Sequence, residues 1–136
     1  MKKLIYGCLL VLAGVVGYGI YLFYQKPPDT REEKAEFEIT AEDLVKEFSA
    51  NEGEANRKFV DKVLIISGKV EQIQFTATEA SVMLSSNDPM SGVTCSFYSD
   101  EIAPLKDIGR GKLVKIKGKC TGKLMDVVLN NCSLAR

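Results

Sequence analysis

The sequence predicts an all-β domain with accessory helices: a five-stranded Greek-key barrel of the OB type, behind an N-terminal transmembrane helix and a short amphipathic helix. Three observations predict it. Residues 4–24 carry no charge. From Lys62 onward the apolar residues recur with period two, the spacing of half-buried strands. The strands come as three, then a proline-containing link, then two, which is the OB order. The chain divides into an anchor (residues 1–25), a linker (26–38) and a barrel domain (39–136).

The anchor reads LIYGCLLVLAGVVGYGIYLFY. At helical rise its 21 residues span ~32 Å, matching the ~30 Å hydrocarbon core of a bilayer. Tyr18, Tyr21, Phe23 and Tyr24 gather at its C-terminal end as an interfacial belt does, and Pro27 and Pro28 end the helix. The apolar run continues past any small-x-small exit, so an uncleaved signal-anchor is expected rather than a cleaved leader. Cys8 has too short an apolar region before it to be a lipidated cysteine and reads as an apolar helix residue. Basic residues flank both ends, so their count does not orient the helix. Its secretory-like start favours an extracytoplasmic (periplasmic) domain, and cysteines in that domain suit an oxidising compartment.

Residues 25–37 are polar with a Pro-Pro pair, a semi-stiff spacer by composition. Thr40 is an N-cap followed by Glu42 and Asp43 in the first helical turn. Leu44, Val45, Phe48 and Ala55 then share a face of one helix, with Gly53 weakening its middle.

The first strand runs from Val63 through Val70, where Gly68 suggests a bulge or bend. Its apolar phase shifts before Ile73 and Phe75, so it is long and bent. Val82–Leu84 is the second strand, and the loop 85–92 is dense in turn formers. Val93, Cys95 and Phe97 alternate with Thr94, Ser96 and Tyr98 in the third. Residues 100–109 form a short helix or turn limited by Pro104. The fourth strand places Val114, Ile116, Gly118 and Cys120 opposite in phase to Lys115, Lys117 and Lys119. A hairpin near Thr121–Lys123 leads into the fifth strand, 127–134, with Asn130-Asn131 as its irregularity.

The stretches LVKEFSANEGEANRKFVDKVLIISGKV, VTCSFYS and VKIKGKCTGKLMDVVLNNCSL resemble the tRNA_anti-like family of bacterial OB domains over about residues 40–135. The resemblance implies a binding fold, commonly behind a lipoprotein signal or membrane anchor. It brings no agreed activity and no ligand residues.

From Phe37 onward the chain carries 13 basic and 14 acidic side chains, a net of −1. A domain so nearly neutral lacks the field that draws in nucleic acid. There is no histidine, which removes the commonest general base and metal ligand. No nucleophile elbow, phosphate loop or CxxC is present, so the expectation is no enzyme, no cofactor and no metal. Cys95, Cys120 and Cys132 can all face inward. Of their three pairings, Cys95 with Cys132 is geometrically possible, since the third and fifth strands adjoin in an OB barrel; three buried thiols is the other reading. Lys112, Lys115, Lys117, Lys119 and Lys123 form a stripe that is either a contact for phosphate, nucleic acid or anionic lipid, or a solvated strand face. Tyr98 has outward parity and Phe75 adjoins the first loop, the two candidate stacking residues.

These features lead to a membrane-anchored, non-catalytic binding module of the bacterial envelope, recognising a partner protein, peptide or envelope ligand. A nucleic-acid-binding OB protein is the alternative. A third reading, an assembly subunit held through Ala13-x-x-x-Gly17, draws on a small-residue pair that permits close helix contact. The strand phase is directly testable by denaturant melts of residues 37–136. Phe97→Ala should cost ~3–5 kcal/mol as a buried aromatic, and Lys117→Ala should stay within ~0.5 kcal/mol. The reverse ranking would mean an inverted phase.

Overall fold

The computed structural model describes residues 1–25 and 29–135; the expected Pro27-Pro28 helix stop lies outside the described residues. Helix α1 (Lys2–Tyr24) buries no residue and is long and apolar enough to cross a membrane. All the core residues lie in the segment that begins at Phe37. That segment therefore carries its own hydrophobic core and can fold without α1.

The core segment opens with β1 (Phe37–Thr40), α2 (Ala41–Ala50) and α3 (Glu52–Phe59). Where one weakened helix was expected, there are two. The break falls at Asn51, not Gly53. Asn51 N–H donates to the Glu47 carbonyl and ends α2, while its side-chain oxygen accepts from Glu54 N–H at 3.2 Å and starts α3. Thr40 caps α2 in the same way, accepting from Asp43 N–H. Leu44, Val45 and Phe48 from α2 join Ala55 and Phe59 from α3 in the core.

The barrel consists of β2 (Val63–Phe75), β3 (Ala80–Leu84), β4 (Val93–Phe97), β5 (Leu113–Lys123) and β6 (Val127–Leu134). The strand order is β2-β3-β4-β6-β5, closed by pairing of β5 back onto β2, with β1 added in parallel to β2. All pairs within the barrel are antiparallel except β4–β6. This is the predicted five-stranded barrel. The strand β1 was not predicted, because Phe37 and Glu38 fall at the end of a stretch whose polar composition reads as spacer. Two short 3-10 turns, Ser99–Glu101 and Ala103–Asp107, fill the link between β4 and β5 and bury Leu105.

β2 makes closure feasible. Residues 63–69 pair with β5, and residues 70–75 pair with β3. Between them the register slips at Val70/Gln72, the one-residue bulge that turns a strand sharply. The bulge thus falls beyond Gly68. Gly68 serves close packing instead: a β-carbon there would sit 3.1 Å from Ala41 Cβ and 3.3 Å from Leu84 Cβ. Asn131, in the left-handed region at φ 53°, supplies the irregularity expected in the last strand. Cys120 faces Leu129, and the β5–β6 register slips between Cys120 and Gly122.

Cys95, Cys120 and Cys132 are fully buried free thiols. Burial, and then the neighbouring Cys95 thiol, hold the Cys132 thiol well above its ordinary pKa. Gly118 packs against Cys132, and a β-carbon there would press into Cys132 Sγ. Gly118→Ala should therefore destabilise the domain by about 1–3 kcal/mol through overpacking. The loss should shrink in the double variant Gly118→Ala/Cys132→Ala. Equal losses in single and double variants, read from urea melts, would place the strain elsewhere.

Candidate binding face

The registers stack residues of the strands into rows that alternate between core and surface. Ile73, Val82, Cys95 and Leu129 form a core row. Beside it lies the outward row Gln72, Met83, Thr94 and Val128, and on its other side Gln74, Ser81 and Ser96. All seven outward side chains are at least partly exposed. None is charged and none is aromatic. OB barrels recognise their ligands on this sheet face, so hydroxyls, carboxamides, a thioether and a valine are the chemistry offered here. The face borders the β5–β6 hairpin tip, where Asp126 accepts from Gly92 N–H at 2.9 Å and from Thr94 Oγ1 at 3.3 Å.

The structure places Phe75 and the lysines elsewhere and covers Tyr98, which continues the outward side of β4 beyond Ser96. Phe75 has core parity in a row with Ala80, Phe97 and Cys132, but it lies at the end of β2 and stays 47% exposed. Tyr98 has outward parity, and residues from the expected spacer cover it. The Arg31 guanidinium stacks 4.6 Å from the Tyr98 ring centroid. Thr30, buried to 2% exposure, donates its N–H to the Tyr98 hydroxyl at 3.2 Å. Arg31 also bonds Asp29 through Nε, Asp100 at 2.8 Å and Glu101 at 3.0 Å. Residues 29–31 thus form a strap across the chain that follows β4. The strap was not legible because its anchors, Tyr98, Asp100 and Glu101, lie about seventy residues away.

The lysines are drawn into the same N-terminal segment. Lys115 pairs with Glu38 of β1 at 2.9 Å, and Lys117 Nζ donates to the Arg31 carbonyl at 3.2 Å. Lys123 Nζ donates to Ser49 Oγ of α2 at 3.4 Å. Lys119 is half-buried beside Asn130 of β6. Lys112 lies in the exposed turn before β5. The stripe exists as a row on β5, outside the uncharged face, and acidic and carbonyl oxygens of the strap and β1 already engage part of it. Among the described residues, no group of three or more His, Cys, Asp or Glu is placed to hold a metal.

Barrel order and outward face together define an OB-type domain. The chain belongs to the tRNA_anti-like family, whose model matches residues 2–134. Its structure is similar to that of a proposed nucleic acid-binding lipoprotein from Klebsiella pneumoniae subsp. pneumoniae, with a TM-score of 0.62 and 16% identity over 82% of this chain and 100% of that one. It is also similar to a chain assigned as an aspartyl-tRNA synthetase from Leishmania major, with a TM-score of 0.51 and 13% identity over 79% of this chain but 22% of that one. At these identities the likeness establishes the fold. No curated protein gives a match.

The strap carries a pH signature. Hydrogen bonds from the Arg31 side chain and then from its backbone N–H hold the Asp29 carboxyl at about 2, against an ordinary 3.8. A depressed carboxyl pKa stabilises the docked strap fully above about pH 4, and that contribution is lost as pH falls through about 2. Tyr98 is the only tyrosine after Tyr24, and the chain has no tryptophan. Tyrosine fluorescence of residues 29–136 should therefore change between pH 4 and pH 2. In Arg31→Ala that step should vanish while far-ultraviolet dichroism stays native. A step of equal size in the variant would mean that it reports something other than the strap.

Proposed function

We propose that the chain is a membrane-anchored, non-catalytic binding module of the bacterial envelope, which recognises a protein or peptide through the outward face of β2, β3, β4 and β6. The single observation that carries this reading is the chemistry of that face. Gln72, Gln74, Ser81, Met83, Thr94, Ser96 and Val128 offer hydrogen-bonding side chains and a methionine, with no charge to neutralise phosphate and no ring on which to stack a base. Single-strand-binding OB domains depend on both. Phosphate recognition also requires cations that are free to release counterions, and here Lys115 and Lys117 already have oxygen partners. The charge-free run 4–24 of α1, with its aromatic C-terminal end, supports a single-pass anchor. Its secretory-like start supports an extracytoplasmic domain.

Nucleic-acid binding is the second reading, and the name given to the Klebsiella lipoprotein favours it. Two measurements separate the readings. Photo-crosslinking residues introduced at Ser81 and Ser96 should give discrete protein adducts in intact cells, whereas one at exposed Arg57 on α3 should not. In fluorescence anisotropy with labelled single-stranded DNA and RNA, residues 29–136 should bind weakly at low salt and lose that binding by physiological salt. Arg31→Ala, which uncovers Tyr98, should not restore it. Submicromolar binding that persists at physiological salt and falls in Lys115/Lys117/Lys119→Ala would overturn the protein-binding reading. An alkaline phosphatase fusion after Arg136 that is expressed but inactive would overturn the location.

A further inference from the structure

The barrel leaves the second half of β2 open along one edge. β5 pairs with β2 only as far as Lys69, and the last bonds on that side are those of Val70 with Gly111 and Lys112. The remainder of β2 pairs with β3 on its other side. Thr76 N–H donates to the Glu79 carbonyl at the turn, which directs the backbone groups of Thr76, and by alternation Gln74 and Gln72, toward β3. Ile73 and Phe75 therefore aim N–H and C=O outward from the barrel. Among the described residues these outward groups have no backbone partner.

Exposed edges are normally blunted by lysine, proline or charge. The outer strand β1 follows that rule, with Glu38 in it and Glu36 just before it. The open edge of β2 does not. From Gln72 to Thr78 it reads QIQFTAT, with neither charge nor proline. Phe75 is 47% exposed at its end, and Ile73 is partly exposed beside it.

We propose that this edge pairs with the same edge of a second copy of the chain, antiparallel, about a twofold axis through Gln74. The sequence is self-complementary under that operation. Ile73 of each copy falls opposite Phe75 of the other, in the hydrogen-bonded type of pair, so the outward N–H and C=O groups of both residues are satisfied reciprocally. The exposed Phe75 ring covers Ile73 of the partner copy, an aromatic–β-branched cross-strand pair. The two Gln74 side chains meet on the axis as a non-hydrogen-bonded pair, carboxamide to carboxamide. No charge is brought opposite a like charge. A shift of one residue would put Phe75 opposite Gln74 and waste the outward groups, so the register is fixed by the same pattern that fixes it within the barrel. The pairing also places the two uncharged faces side by side as one continuous surface.

The test uses the full chain in detergent micelles, with Cys8→Ser as background because Cys8 is exposed. Opposed residues of a non-hydrogen-bonded pair have Cα atoms ~4.5 Å apart, within the ~4.4–6.8 Å range of a disulfide. Gln74→Cys should therefore cross-link to itself under mild oxidation. Gln72→Cys should not, since copies of that position lie four residues apart along the strand, ~13 Å. Gln74→Lys alone and Gln74→Glu alone should each be monomeric by light scattering, and mixing the two should restore a dimer. Restoration on mixing distinguishes an interface from a damaged fold. Equal cross-linking at both positions, a dimer that survives Gln74→Lys, or a monomeric wild type would each overturn the proposal.

Discussion

The whole domain depends on one strand serving two partners within the barrel. β2 is 13 residues long, roughly 43 Å if straight, more than a small barrel of this kind can present to a single neighbour. The bulge at Val70/Gln72 turns it, so that its first half closes the barrel against β5 and its second half starts the sheet that continues through β3 and β4. The strap, β1 and α2 follow from this arrangement. β1 has a place because the first half of β2 has an edge that β3 does not reach. Running straight on from β1, α2 places Leu44, Val45 and Phe48 in the core. Gly68 lets Ala41 and Leu84 approach where the two halves meet.

Much of this was legible in the sequence, for a physical reason. Period-two patterning records which side of a strand is dry. Phe97, Val114, Ile116 and Cys120 therefore announced their burial, and the three-plus-two order followed from spacing alone. The bend in β2 showed as a phase slip before Ile73. Less legible was anything made by single polar residues, whether at a local cap or across long separations. Asn51 reads as an ordinary helix residue until its own N–H and side chain are seen closing one helix and opening the next. Asp29, Thr30 and Arg31 read as spacer because their composition is that of a spacer, and the partners of Thr30 and Arg31 lie about seventy residues along the chain.

The candidate site was the least legible part. Looking for a nucleic-acid surface selects aromatics and lysines, so Phe75, Tyr98 and the β5 lysines stood out. The outward face is instead defined by what it lacks, and glutamines, serines and a methionine scattered over three strands carry no local signature. Register assembles Gln72, Met83, Thr94 and Val128 into one row from sequence positions spread over more than fifty residues. Tyr98 illustrates the opposite case. Its parity was legible as outward, and the chain's own Arg31 already lies over the ring.

The strap also changes how far the domain can travel. Composition suggested a leash of more than a dozen residues. With Thr30 buried against Tyr98, only the steps between Gln25 and Asp29 remain to be paid out, at most ~14 Å of fully extended chain. A domain on so short a leash does not sweep the space above a bilayer. Were α1 to stand in one, Asp29 and the strap docked on Tyr98 would be held within that distance of the helix end.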